Sequence, residues 1–194
     1  MPKLRANSWR AFDPAAAVRQ QTRSLPSSSA RLRILGLDPG SRRTGYGLID
    51  CQGPDAVHVA HGCVALKDDS VAERLRAIFE AVEELIARHR PDEVAVERVF
   101  MNRNADSALK LGQARGAALS AIPRGTSVFE YAPRAIKLAV VGFGGADKQQ
   151  VAHMMRALLS LSGTLAADAS DALAVAVCHA HSRRMRLLVA GSAG

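Results

Sequence analysis

Four acidic residues stand at positions where the surrounding sequence is otherwise apolar. Asp38 ends the apolar run Leu32–Leu37, and Glu97 directly follows a second apolar run. Asp168 and Asp171 are three positions apart at the start of an alanine-rich segment, so a helix there would place both on one face. If the two apolar runs are neighbouring strands, Asp38 and Glu97 lie side by side, and the last helix can bring Asp171 against them.

Carboxylates gathered in this way could hold metal ions. At close range they repel one another, and partial burial adds to the cost of their charge. A hard divalent cation removes this conflict, and Mg²⁺ prefers carboxylate and water oxygens. Two such ions about 3.5–4 Å apart can activate a water molecule and stabilise the leaving oxygen of a phosphodiester. The pattern therefore predicts two Mg²⁺ ions per subunit, with Mn²⁺ able to substitute, and hydrolysis without a covalent protein intermediate.

Each acid also has a purely structural interpretation. Asp38 lies in Asp-Pro-Gly, which is typical of a turn. Asp168 could serve only as a favourable charge at a helix N-terminus, and Glu97 could be a surface residue beyond a strand end. The combination favours a metal site, because both predicted strands are apolar up to the acid.

Short strands and longer helices would position these acids. Three strands joined by short turn signals predict an antiparallel meander, and helices then alternate with two further strands. This order predicts an α/β fold with a five-stranded mixed sheet, three antiparallel strands and then parallel ones, flanked by helices. The predicted strands are 32–37, 44–51, 56–66, 93–96 and 127–131, and the predicted helices are 70–90, 105–122, 133–141, 147–161 and 168–182.

Positive charge is concentrated at the start of the chain. The 194 residues carry a net charge of +8, but residues 1–33 hold seven basic residues and one acid. The charge is therefore weak evidence that the core itself binds nucleic acid. Residues 1–31 lack apolar periodicity and predict a disordered basic extension; an organelle transit peptide and a start codon assigned too early remain alternatives. We expect a folded domain over 32–184 and a flexible tail over 185–194.

The cysteines and the apolar runs exclude some classes of protein. Cys51, Cys63 and Cys178 are far apart, which favours neither a disulfide framework nor a zinc site and fits a reducing cytoplasm. No apolar run reaches the roughly 18 residues of a membrane span, so we expect no membrane partner. His179 and His181 are two positions apart on a predicted helix and point in different directions, so we expect no metal role for them.

Four longer segments carry a family resemblance. They read ILGLDPGSRRTGYGLID (34–50), VAVERVFMNRNADSALKLGQARGAAL (94–119), VFEYAPRAIKLAVVGFGGADKQQV (128–151) and DASDALAVAVCHAH (168–181). Together, and in register over about residues 32–184, they resemble the RuvC family of crossover (Holliday) junction endodeoxyribonucleases.

The resemblance implies a fold, an activity and partners. It implies a ribonuclease H-like fold, a homodimer, and Mg²⁺-dependent paired nicking of four-way junction DNA in recombination and repair. A branch-migration motor of the RuvA and RuvB type is the further partner that it implies. The active-site acids of the family match Asp38, Glu97, Asp168 and Asp171, and the position of Asp168 is a His in some members.

Several residues are predicted to contact DNA. Phe100, in the polar loop after Glu97, could stack on an unpaired base, as the resemblance also implies; ordinary packing is the alternative. Lys137 and Lys148 flank the glycine loop 142–145 and could bind phosphates, as lysines of the family do. Arg103, Ser41 and Arg42 are further candidates, although solvated surface positions explain them equally well.

The symmetry of the expected substrate predicts the oligomeric state. A four-way junction has near two-fold symmetry, and two opposed nicks resolve it, so a C2 dimer with one active site per subunit fits it. The small-residue helix Ala105–Ala121 is the expected interface, as in the family.

Three other functions remain as alternatives. The Asp-Pro-Gly turn after a strand superficially resembles the first phosphate loop of actin-like ATPases and sugar kinases, but those enzymes need two domains and a longer chain. A junction-binding scaffold without catalysis is a second alternative, against which the intact acids argue. A ribonuclease H-like nuclease that acts on RNA is the third.

Overall fold

A single mixed sheet covered by helices forms the fold. The computed structural model describes residues 31–66, 70–98 and 104–191. The strands and helices within these residues are β1 (Leu32–Pro39), β2 (Arg43–Gln52), β3 (Asp55–Ala65), α1 (Val71–His89), β4 (Glu93–Glu97), α2 (Ala105–Ser120), β5 (Ser127–Tyr131), α3 (Pro133–Val141), α4 (Lys148–Leu158) and α5 (Ala167–Gly191). Among the residues that the structure describes, the helices are too short or too polar to span a lipid bilayer.

The strand order brings β1 and β4 together. The sheet has the order β3-β2-β1-β4-β5. The first three strands pair antiparallel, while β4 pairs parallel to β1 and β5 parallel to β4. Short turns can join antiparallel neighbours, whereas a parallel neighbour needs a long crossover, which α2 supplies between β4 and β5. The five-stranded mixed sheet predicted from the sequence, in its ribonuclease H-like form, is therefore confirmed.

The sheet separates two apolar cores. Successive side chains of a strand point to opposite faces, so Ile34 and Leu35 of β1 enter different cores. On one face, Leu35 and Val94 pack with Ile78 and Val82 of α1 and with alanines of α2. On the other face, Ile34 and Ala95 pack against α3, α4 and α5. Burial on both faces explains why β1 and β4 read as continuous apolar runs.

Helix α5 lies close to β1 and β2 because these strands have glycines, which lack a Cβ atom, beneath the helix. A Cβ atom on Gly36 would lie 2.2 Å from the carbonyl oxygen of Ala172 and 2.8 Å from the amide nitrogen of Ala176. A Cβ atom on Gly45 would lie 2.0 Å from the carbonyl oxygen of Asp168. The helix backbone thus rests directly on the strand backbones, which holds the acidic first turns of α5 against the end of β1.

The last helix is longer than the sequence pattern predicted. It runs to Gly191 instead of ending near residue 182, so α5 includes residues 185–191 of the segment that the sequence assigned to a C-terminal tail. The guanidinium of Arg183 bonds to Glu93, with 3.2 Å between Nε and Oε1, and that of Arg186 lies 5.3 Å from the centre of the Phe129 ring. These contacts, in a stretch of Arg, Met and Leu that favours helix, extend α5 beyond the alanine-rich part.

The close helix–sheet contact predicts a large loss of stability when Gly36 is replaced. Gly36→Ala should lower the free energy of unfolding by about 3 kcal/mol, since its new methyl group meets backbone atoms that cannot move aside. Glu80→Ala is the control, because Glu80 lies on the exposed side of α1, where a substitution changes the free energy of unfolding by no more than about 0.5 kcal/mol. Urea denaturation measures both values. Equal stability of the two variants would contradict the packing described for α5.

Candidate active site

Asp38 and Glu97 lie next to each other at one end of the sheet. In the parallel pairing of β1 with β4, Leu37 is the register partner of Val96. Each acid is the next residue of its strand, so the two carboxyl groups leave neighbouring strands at the same end and on the same face. That face is the one covered by α5, since Gly36 lies under Ala172 and Ala95 belongs to the same core layer. The side-by-side arrangement predicted for these two acids is what the structure contains.

Asp168 and Asp171 approach this end from the first turns of α5. The carboxylate of Asp171 accepts a hydrogen bond from Lys148, with 2.9 Å between Oδ2 and Nζ. Asp168 lies towards β2 and β3, where its Oδ2 is 3.8 Å from a terminal nitrogen of Arg43 and 4.0 Å from the sulfur of Cys63. Asp171 therefore faces α4, while Asp168 stands at the opposite edge of the group.

The electrostatics show that the four acids act on one another. Burial, together with the charge of Asp171, raises the pKa of Asp38 to about 6. Burial and the charges of Asp38 and Asp171 raise the pKa of Glu97 to about 8, and its hydrogen bond with Asp38 adds to this shift. At neutral pH and without cations, Glu97 therefore keeps its proton and donates a hydrogen bond to the Asp38 carboxylate.

Lys148 supplies positive charge to the group. It is the first residue of α4, whose N-terminus is fixed by a capping box between Asp147 and Gln150. The hydrogen bond to Asp171 raises the pKa of Lys148, and the ammonium group in turn acts to lower the pKa of both Asp38 and Glu97. One ammonium group is not enough to bring the pKa of either carboxyl back to its ordinary value.

The donor set fits a hard divalent cation. Its donors are carboxylate oxygens, which Mg²⁺ and similar ions prefer, and the raised pKa values of Asp38 and Glu97 report burial together with repulsion among the carboxylates. Within the described ranges, no three His, Cys, Asp or Glu side chains already surround one point as metal ligands. Here a proton between Asp38 and Glu97 and the ammonium of Lys148 provide the compensating charge. Asp38, Glu97 and Asp171 are the residues that could hold an ion, with Asp168 at the edge.

The residues predicted to contact DNA are spread around this group. Lys148 touches Asp171, whereas half-buried Lys137 lies on α3. Ser41 lines a small cleft between the β1–β2 turn, α1 and α2, and the carbonyl of Arg42 accepts a hydrogen bond from the amide of Leu66 at 3.1 Å. Phe100 and Arg103 lie outside the described residues. The DNA contacts of all six residues stay predictions.

The sequence pattern did not reveal the neighbours of Asp168. Arg43 and Cys63 come from β2 and β3, and they reach Asp168 because the antiparallel register pairs Gly45 with both Asp38 and Cys63. This register could not be read from the alternation of apolar residues alone, since a shift by two positions keeps the same residues on the same face. The glycine at position 45, which admits α5, is the only signal that could have suggested it.

The chain resembles one family over most of its length. A profile of the family described as crossover junction endodeoxyribonuclease RuvC matches residues 34–179. The protein of that name from Chromohalobacter salexigens is 54% identical over 156 residues, which are 80% of this chain and 84% of that protein. The one from Methylococcus capsulatus is 57% identical over 153 residues, or 78% of this chain and 92% of that protein. The family resemblance predicted from the sequence is confirmed.

Solved structures also resemble this chain. The structure of T. thermophilus RuvC in complex with Holliday junction substrate matches with a TM-score of 0.74 at 35% sequence identity. The match covers 79% of this chain and 96% of that chain. The yeast mitochondrial Holliday junction resolvase Ydc2 matches with a TM-score of 0.56 at 10% identity, over 79% of this chain and 85% of that chain, and shows likeness of fold alone.

The raised pKa of Glu97 predicts a pH-dependent stability in the absence of divalent cations. The folded chain keeps the Glu97 proton up to about pH 8, whereas an unfolded chain releases it near the ordinary value of 4.5. Between these pH values the folded state binds more protons, so the free energy of unfolding decreases as pH rises. Glu97→Gln removes this titration. In EDTA its Tm should exceed that of the unsubstituted chain at about pH 9, and the difference should shrink towards about pH 4.

Thermal melts over this pH range measure the effect, with Glu80→Gln on the exposed side of α1 as the control. The control variant should follow the unsubstituted chain at every pH. A Tm difference for Glu97→Gln that does not change with pH would contradict the electrostatic account of the site.

Proposed function

This chain belongs to the crossover junction endodeoxyribonuclease RuvC family, and from this premise we propose that it cuts four-way (Holliday) DNA junctions by hydrolysing phosphodiester bonds. The observation that carries the proposal is the meeting of Asp38 and Glu97 at adjacent strand ends beneath the first turns of α5. The matched residues cover 84% and 92% of the two relatives described above, so most of their length has a counterpart here.

The acids would perform the reaction with divalent cations. We propose that Asp38, Glu97 and Asp171 hold Mg²⁺, with Asp168 contributing at the edge, and that Mn²⁺ can replace it. When bound, two such ions would activate a water molecule and stabilise the leaving oxygen of the phosphodiester. Glu97 must release its proton to act as a ligand, since a protonated carboxyl is a poor one. Its raised pKa therefore makes cation binding weaker as pH falls below about 8.

Basic residues around the acids would position the DNA strand. Lys148 is exposed at the N-terminus of α4 and bonds to Asp171 in the absence of cations. Once cations neutralise Asp171, its ammonium group is free to contact a phosphate of the substrate. Lys137, Ser41, Arg42 and Arg103 belong to the same proposal as phosphate contacts, and Phe100 as the side chain that stacks on an unpaired base.

Two active sites are needed for paired nicking, so we propose a homodimer. Helix α2, the interface predicted from the sequence, has an uncovered face in the single chain. Leu109 is 62% exposed, and Cβ atoms on Gly112 and Gly116 would meet nothing within 4 Å. A second copy packed on this face would bury Leu109 and bring the two backbones close together.

The remaining assignments form part of the same proposal. A branch-migration motor of the RuvA and RuvB type would be the further partner, and the cytoplasm the location, since the proposed substrate is chromosomal DNA. Residues 1–31 would form a basic extension ahead of the nuclease domain.

Asp38→Asn tests the proposed role of the acids. The amide keeps the size of the side chain but removes its charge, so binding of a synthetic four-way junction in EDTA should stay within about twofold. Nicking with Mg²⁺ should fall by about 10²–10³-fold or more. Gel-shift titration and single-turnover cleavage measure the two quantities. Asp55→Asn at the exposed start of β3 is the matched control and should cleave normally.

Two results would contradict this assignment. Loss of junction binding in Asp38→Asn would show that the residue is structural. Retained cleavage would show that the catalytic centre lies elsewhere. An RNA duplex in the same assay separates the proposed activity from that of an RNA-directed nuclease and should remain uncut.

A further inference from the structure

A buried polar network ties α5 to β4 and β5. His179 of α5 is fully buried, and its Nε2 lies 2.6 Å from Oε2 of Glu93. Arg183, one helical turn further on, places its Nε 3.2 Å from Oε1 of the same carboxylate. The hydroxyl of Tyr131 lies 2.7 Å from Nδ1 of His179. Both oxygens of Glu93 and both ring nitrogens of His179 therefore have partners.

The ionisation states fix the direction of these hydrogen bonds. Burial acts to raise the pKa of Glu93, but the bond from His179 and the charge of Arg183 outweigh it and lower the pKa. Burial lowers the pKa of His179, although the bond to Glu93 acts in the opposite direction. A neutral His179 thus donates from Nε2 to ionised Glu93 and accepts at Nδ1 from the Tyr131 hydroxyl. The ring of Phe129, with its centre 4.4 Å from that of His179, holds the imidazole in place.

This network and the acids lie at different points along α5 and along β4. Helix α5 crosses the sheet from β2 to β4, since Asp168 lies over Gly45 of β2 and His179 bonds to Glu93 of β4. His179 is eight positions from Asp171, or about 12 Å along a helix. Glu93 is four positions from Glu97, or about 13 Å along a strand. Fixing His179 against Glu93 therefore limits where Asp171 can lie relative to Glu97.

The glycine contacts hold the first turns of α5 on β1 and β2, and the polar network adds a second point of attachment further along the helix, on β4 and β5. Where α5 crosses β1, Gly36 meets backbone atoms of Ala172 and Ala176. The bonds from two residues one turn apart to a single carboxylate restrict both translation and rotation of the helix. Tyr131 is the register partner of Glu97, so its bond to His179 ties the helix to the strand beside Glu97 as well.

We propose that His179, with Glu93, Arg183 and Tyr131, is a positioning residue that sets the distance between the acids of α5 and those of the strands, and thereby the affinity of the site for divalent cations. This inference rests on the proposed function, because it assigns the acids to cation binding. His179 touches neither the acids nor the DNA in this account and acts through the rigid helix. Misplacement of a functional group by about 1 Å can cost up to about 100-fold in activity.

His179→Phe is the direct test, because it keeps the ring and its contact with Phe129 but removes both hydrogen bonds. Calorimetric titration with Ca²⁺ should show affinity about tenfold lower than that of the unsubstituted chain. The Mg²⁺ concentration for half-maximal junction cleavage should rise by a similar factor, while junction binding in EDTA stays within about twofold. The calorimetric readout does not depend on cleavage.

Two further variants separate positioning from general stability. Leu85→Ala lowers stability in the core on the other face of the sheet, and it should leave Ca²⁺ affinity unchanged. Glu93→Gln is the conservative variant: an amide can donate to Nε2 if His179 carries its proton on Nδ1 and donates it to the Tyr131 oxygen. It should therefore retain Ca²⁺ affinity within about threefold of the unsubstituted chain.

The outcomes distinguish this inference from the proposed function. If His179→Phe binds Ca²⁺ as tightly as Leu85→Ala, the positioning role is wrong while the proposed function stands. If the unsubstituted chain binds no Ca²⁺ and cuts no junction, the proposed function itself fails. Should His179→Phe not fold, Tyr131→Phe keeps the ring but removes the bond to Nδ1 and the bonds of the same hydroxyl to Ser182 and Arg186 of α5. An affinity loss of about threefold supports the proposal, whereas none overturns it.

Discussion

Repulsion among carboxylates at one end of the sheet is the constraint on which the rest of the structure depends. Asp38 and Glu97 leave neighbouring strands on the same face, and α5 adds Asp171 to them. Burial and mutual repulsion make full ionisation of these carboxyl groups unfavourable. In the chain without cations, a proton on Glu97 and the ammonium group of Lys148 offset part of the negative charge. A site that needs positive charge and offers only oxygen donors is suited to hard divalent cations.

The fold holds these groups together by backbone packing instead of by bonds among the acids. Parallel pairing of β1 with β4 sets the first two acids side by side. Glycines under α5 allow the helix backbone to touch the sheet, and the buried Glu93–His179 contact ties the far end of the helix to the strand that carries Glu97. The active-site geometry therefore depends on contacts more than ten ångströms from the acids, by the rise of about 1.5 Å per helical residue.

The sequence predicted the sheet and the grouping of Asp38 with Glu97 because two apolar strands each stop at an acid, and the end of a strand is a local signal. It did not predict the contacts of Asp168 with Arg43 and Cys63, which depend on how β2 and β3 align. Nor did it predict the role of His179 or the full length of α5, because both depend on partners, Glu93 and Phe129, that only the tertiary fold brings near. Local patterns locate the acids, whereas long-range packing decides their surroundings.

The most direct test of this account is the location of bound Mn²⁺ in crystals of the protein. Diffraction data collected at the manganese absorption edge would show each ion as an anomalous peak. The account predicts peaks within about 2–2.5 Å of carboxylate oxygens of Asp38, Glu97 and Asp171, with Lys148 displaced from Asp171. Peaks only at other positions, or none at a Mn²⁺ concentration that saturates the protein in solution, would contradict it.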